Sequence, residues 1–157
     1  MDAKTKRFIL DIIGSRNDLT LATLRPDGFP QANTVSYAAD GLTLYFGTGR
    51  DSGKVRNIEH SRKVSLTIDV PYADWNEIRG LSMGALAEVL TDDSAESLRA
   101  MDVLTKKFPA VWELPPPVES ASIVFVKVVP QVISVLDYRK GFGHTELVEV
   151  LPRDLGT

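Results

Sequence analysis

The chain has no cysteine. Disulfides, thiolate nucleophiles and cysteine-ligated zinc or iron–sulfur clusters are thereby excluded. Its two histidines, His60 and His144, stand far apart with no cluster of ligand residues near either, which argues against a dedicated metal site. A basic surplus is missing too: 18 Lys and Arg against 21 Asp and Glu leave a net charge of -3. Proteins that grip a nucleic-acid backbone usually show a basic excess or patch, so no nucleic-acid partner is expected. A local pocket for one small anion stays open. No apolar run approaches a membrane span. The start, Met1-Asp2-Ala3-Lys4-Thr5-Lys6-Arg7, leads into a short apolar stretch broken by Gly14, without a secretory h-region or cleavage site. The expectation is a cytoplasmic protein with no membrane partner.

What is present suits a single domain over residues 1–157, at 43% hydrophobic and 25% charged residues. Phe8, Ile9, Ile12 and Ile13 share one helical face, with Gly14 as the expected stop. Leu19–Leu24 reads as a strand, Pro26-Asp27-Gly28 as a turn, and Gln31–Tyr37 as a second strand. Asp40-Gly41 is a hairpin signal before a third strand at Leu42–Phe46. Ser52 is placed to cap a short helix carrying Val55, Ile58 and Glu59. Lys63–Val70 alternates as a strand, and Arg79–Leu90 is a longer one whose Gly80 and Gly84 suggest a bend or close approach. Ser94 ends a capping stretch before a helix in which Leu98, Met101, Leu104, Thr105 and Phe108 share a face. Pro115–Pro117 is a stiff connector. Ser122–Val129 and Gln131–Leu136 read as two strands split by Pro130, and Thr145–Val150 as the last. The pattern predicts a mainly β antiparallel barrel with flanking helices.

The segment Leu44–Ile58 carries the chemistry. It reads strand, glycine-rich turn, helix start. A helix N-terminus offers unpaired N–H groups and a partial positive charge, which attract phosphate. Thr48 and Ser52 add hydroxyls, Lys54 a point charge, and glycines 47, 49 and 53 let backbone amides approach an anion. A capped surface helix with solvated cations fits the same residues equally well. A triphosphate-binding P-loop does not: Thr48 stands where its first glycine should be, and Val55 replaces the magnesium-binding hydroxyl.

The order L-A-T-L, P-Q-A-N-T-V-S-Y, L-Y-F-G-T-x-x-x-S-x-K-x-x-N-I, K-V-S-L-T-I and G-A-L-A-E-V resembles the pyridoxamine 5'-phosphate oxidase-like FMN-binding split barrels, over roughly residues 4 to 137. The resemblance implies an antiparallel six-stranded split β-barrel and a homodimer with FMN at the subunit interface, each site drawing on both chains. It implies phosphate contacts from Ser52 and Lys54, with Thr48 at the strand end. The isoalloxazine would lie along Gln31–Ser36, nearest Asn33, Thr34 and Val35. Where the family often has Arg-Lys this chain has Gly53-Lys54, and either Arg50 or Arg56 could replace the missing cation. Trp75, Met83 and Trp112 are candidates for an apolar dimer face, and each fits an ordinary core position equally well.

Flavin carries hydride chemistry itself, so no acid–base triad is required. The family's W-R-L type ending is absent, which sets activity on pyridoxamine phosphate in doubt and leaves a small-molecule substrate unidentified. The segment Asp137–His144, at the start of a C-terminal lid or strand region (137–157), clusters an aromatic, cations, glycines and an imidazole. Its Lys140 and His144 are expected at a bound cofactor or substrate. A solvated hairpin turn is the plainer account of the same residues. The expected function is an FMN-dependent oxidoreductase. The alternatives are a deazaflavin-dependent split barrel and a flavin-binding carrier or sensor without turnover.

Overall fold

In the computed structural model, residues 1–110 and 122–156 are described. Trp112 and the Pro115–Pro117 connector lie outside them. The elements run α1 (Ala3–Ser15), β1 (Asp18–Leu24), β2 (Pro30–Ser36), β3 (Ala38–Asp40), β4 (Thr43–Gly49), α2 (Gly53–His60), β5 (Lys63–Asp69), β6 (Arg79–Val89), α3 (Ala95–Lys107), β7 (Ile123–Asp137) and β8 (Thr145–Glu149). All eight strands among the described residues belong to one antiparallel sheet, ordered β2-β1-β5-β6-β7-β4-β3, with β8 added along β7. The sheet curls until β2 approaches β4, giving a split half-barrel. The eight strand-like runs of the sequence give eight strands by two offsetting changes, and not the six of the expected barrel: the runs on either side of Pro130 join in β7, and a short β3 forms just beyond the second run.

Alternation decides the inside. Leu19 and Leu21, Val64, Leu66 and Ile68, Leu81 and Met83, and Ile133 and Val135 face a common core. Met83 therefore belongs to the interior, 1% exposed, and not to a dimer face. Helix α1 closes the core with Ile9, Ile12 and Ile13. Gly14 does not stop it: the helix runs through Ser15 and ends where Arg16 turns extended, with no left-handed residue.

Helix α3 is capped by Ser94, whose Oγ accepts from the Ser97 N–H at 3.1 Å. Its packed face is Ser97, Ala100 and Leu104, against Ala38, Tyr45 and Leu90. Leu98 and Met101, expected inside, are exposed. The small Ala38 and Ala100 are both buried in this contact, and Leu98 and Met101 lie outside it.

Pro130 does not split a strand in two. β7 is continuous against β6, and the register slips where Ala85 faces Pro130 and Gly84 faces Val132, a bulge at Gln131. On its other edge β7 pairs with β4 through Ile123–Val128 and with β8 through Val132–Leu136. Pro130 falls in the gap between these partners, where little ladder hydrogen bonding is lost. Turn chemistry behaves as expected at Gly28 (φ 88°) and Gly41 (φ 58°). At Gly41 space is also short: a Cβ would stand 2.2 Å from the Leu155 carbonyl oxygen, which accepts from the Leu42 N–H.

Candidate functional site

The β4–α2 corner forms at the sheet's open seam. Strand β4 delivers Thr48 and Gly49, a turn follows at Arg50-Asp51, and Ser52 caps α2 by accepting from the Val55 N–H at 3.4 Å. The first N–H groups of α2 lack intrahelical acceptors and its dipole points its positive end outward. Thr48 Oγ1 lies 3.4 Å from Ser52 Oγ and accepts from Lys54 Nζ at 3.3 Å. Three residues singled out in the sequence thus converge on one anion-suited corner, all half-buried.

Strand β2 is an edge strand, paired only with β1. Gln31, Asn33 and Val35 register against Thr23, Leu21 and Leu19 and face inward; Thr34 faces out. Val35 is buried at 9% exposure, so its side chain packs in the core and only its backbone is left for a ligand. The β2 edge is joined to α2 by a polar bridge that the sequence reading missed. Asn57, 3% exposed, donates from Nδ2 to Thr23 Oγ1 and to Gln31 Oε1, both at 2.9 Å. An asparagine between apolar helix positions was the available signal, since a buried amide must find partners. The bridge fixes the anion corner relative to Asn33–Val35.

Lys140 and His144 lie elsewhere. They sit beyond the end of β7 opposite to that holding Val124, the partner of Thr48. Within one chain, 13 residues of β7 separate these ends (Val124 to Asp137), on the order of 40 Å of extended strand. There Arg139 grips Asp137 at 2.7 and 2.9 Å, and its guanidinium holds that buried carboxyl below its usual range. Lys140 Nζ is 3.8 Å from Glu146, and His144 Nε2 is buried without a partner. Phe142, between Gly141 (φ 136°) and Gly143 (φ 77°), stacks on Trp75 with centroids 6.2 Å apart; both rings are largely exposed.

A cavity of about 680 Å³ touches Arg50, Ile58, Arg62, Ala87 and Glu88. Its cations are neutralised, Arg62 by Glu88 at 3.1 Å and Arg50 by Asp92 at 2.7 Å. None of Thr48, Ser52 or Lys54 lines it. Among the described residues no helix is long and apolar enough to cross a membrane, and no three metal-ligating side chains gather.

The family profile described as pyridoxamine 5'-phosphate oxidase matches residues 5–135. No protein of curated function matches the sequence. Among solved structures, a Listeria innocua protein provisionally named as a pyridoxamine 5'-phosphate oxidase is 25% identical, covering 85% of this chain and 98% of its own, with a TM-score of 0.65. A conserved hypothetical protein of Mycobacterium tuberculosis is 24% identical over 93% of this chain and 91% of its own, with a TM-score of 0.72. A heme binding protein from Mycobacterium smegmatis is 21% identical over 95% of this chain and 59% of its own, with a TM-score of 0.74. The last two likenesses establish the fold alone.

Proposed function

This chain belongs to the pyridoxamine 5'-phosphate oxidase family, and from that premise we propose that it binds FMN and serves as an oxidoreductase for a small molecule. The observation that carries the reading is the meeting of Thr48, Ser52 and Lys54 at the N-terminus of α2. The donor set fits a phosphate: two hydroxyls, an ammonium and first-turn amides. The edge of β2 at Asn33–Val35 supplies backbone groups for the flavin ring, at a spacing held by the Asn57 bridge. Bound flavin supplies hydride chemistry. The chain's own part is to hold the phosphate, align the ring along β2 and leave one face for substrate.

The same reading makes the protein a homodimer. The outward faces of β6, β7 and β8 present Leu86, Val132, Leu136 and Leu147 among Ser82 and Ser134, with the charged Glu88, Lys127 and Glu149 on the same faces. Leu147 is 75% exposed in one chain. Such a surface suits two-fold pairing. A second copy would also bring its Lys140, His144 and the Trp75–Phe142 stack towards a flavin that they do not reach within one chain.

Titration of purified protein with FMN, followed by quenching of flavin fluorescence, tests the reading. Saturable uptake is expected; no uptake rejects it. Parallel titrations with a deazaflavin and with haem separate the neighbouring alternatives, and turnover assays with nicotinamide cofactors separate an enzyme from a carrier. Haem has the weaker support here, because His60 lies exposed on α2 and the Nε2 of His144 is enclosed.

A further inference from the structure

The end of the sheet away from the β4–α2 corner holds a row of polar groups with hydrogen bonds to spare. Arg79 on β6 registers with Asp137 on β7, and the Asp137 N–H donates to the His144 carbonyl at 3.2 Å. Side chains alternate along a strand, so all three fall on the face that Leu81, Val135 and Val148 turn to the core. Neighbours paired in this way have Cβ atoms roughly 5 Å apart. Yet Arg79 Nε and His144 Nε2, both enclosed, have no hydrogen-bond partner among the described residues. The carboxylate between them is 4% exposed and is gripped instead by the half-exposed side chain of Arg139. Buried polar groups are normally satisfied, so Asp137 has an alternative set of partners that this pairing leaves unused.

Beside this row lies a cavity of about 360 Å³, between the first turns of α1 and the ends of β7 and β8. Its volume is at the lower end of the range for small-ligand sites, which begins at about 300 Å³. Phe8 and Val135 give it an apolar side, and the Arg139 guanidinium stands 5.6 Å from the centre of the Phe8 ring. Of its carboxylates, Asp2 is taken up in capping α1, accepting from the Lys4 and Thr5 N–H groups at 2.9 Å, and Glu146 is 3.8 Å from Lys140 Nζ. With Arg79 included, four cations (Lys4, Arg79, Arg139 and Lys140) meet three carboxylates (Asp2, Asp137 and Glu146) at this end of the barrel. One positive charge is left over.

We propose that this cavity binds a small organic monoanion, a carboxylate with a compact apolar body, whose charged end takes Arg139 in place of Asp137. Asp137 then passes to Arg79 and His144, whose spare nitrogens stand beside it. The internal carboxylate is a placeholder in the guanidinium fork, which accepts any carboxylate in the same bidentate way. The exchange strands no buried charge: Arg139 keeps a carboxylate, and Asp137 keeps a cation. The apolar body lies against Phe8 and Val135. This site is independent of the FMN reading, since it uses none of Thr48, Ser52, Lys54 or the β2 edge.

The probe is benzoate, with benzyl alcohol as its uncharged counterpart and inorganic phosphate as an anion without the apolar body. Titrations of the full chain are followed by NMR of the arginine Nε–H groups. Saturable benzoate binding is expected, about tenfold or more tighter than either comparison compound, in line with one charge-assisted contact. The Nε–H signals of both Arg139 and Arg79 should move, the second because it gains Asp137. Arg79→Met should leave the resting fold in place, since its Nε has no partner to lose, and weaken benzoate binding about tenfold. Arg139→Lys keeps a cation for Asp137 but loses the fork, and should weaken benzoate to a similar degree. Benzyl alcohol or phosphate binding as tightly as benzoate would overturn the proposal. Undiminished binding in Arg139→Lys would place benzoate elsewhere and overturn it too. A still Arg79 signal, with normal binding in Arg79→Met, would show that Asp137 is not handed over, and the proposal would fall.

Discussion

Two corners of this molecule look alike in sequence and differ in structure. Gly47–Arg56 and Asp137–His144 each combine glycines with two or more cations. At the first, among the described residues, Lys54 is met by a hydroxyl oxygen and Arg56 by a backbone carbonyl. At the second, Arg139 is committed to Asp137 and Lys140 faces Glu146. The first corner pairs Arg50 with Asp92 and leaves Lys54 and Arg56 without a carboxylate partner among the described residues, whereas both cations of the second face carboxylates. The glycines differ as well. Gly53 opens space, while Gly141 and Gly143 take backbone angles that aim an aromatic ring outward. A glycine-rich basic segment is therefore no site by itself; the partner of each cation decides.

The contrast yields graded expectations. Lys54→Ala should weaken FMN binding about 10- to 100-fold, with riboflavin little affected, when both are titrated by fluorescence. An equal loss for both ligands would remove Lys54 as the phosphate anchor. Asn57→Ala should lower stability by roughly 1–3 kcal/mol in urea, because Thr23 and Gln31 lose a buried partner. A smaller change would mean that β2 and α2 keep their spacing without the bridge.

The second corner should answer to acid. The folded Asp137 carboxyl is depressed below its unfolded value, chiefly by the Arg139 hydrogen bonds. Its contribution is thus complete above the unfolded pKa of about 3.9 and is lost as pH falls through the lower folded value. Asp137→Asn should flatten the stability profile below about pH 4, as read by thermal melts across pH. An unchanged profile would show that the pair does not couple to folding. The smallest effect is expected from Lys140→Ala, under about 0.5 kcal/mol in folding, since its ion pair with Glu146 is solvated. A clear loss of FMN affinity in that variant would show Lys140 reaching flavin across a dimer.

Much of the fold was legible because its determinants are local. Gly28 and Gly41 mark turns by their own conformational freedom, and Ser52 and Ser94 announce helices through capping. Val64, Leu66 and Ile68 reveal a buried face by alternation alone. What was not legible depended on distant neighbours. Pro130 reads as a break until β4 and β8 are seen to stop on either side of it. Gly14 reads as a stop, yet the last turn tolerates it. The packed face of α3 meets Ala38 and Tyr45, far away in the chain. At the candidate site, Thr48, Ser52 and Lys54 were readable from spacing and resemblance. The pairing of Arg50 was not, because its partner Asp92 stands 42 positions further on.

Strand β7 acts as a common beam. The strand that presents Thr48 hangs from one half of its edge, and the strand behind His144 hangs from the other half. A disturbance at the joint marked by Pro130 would therefore not stay local. Straightening or slipping it by one residue would shift both attachments together, so damage far from either corner could unseat both.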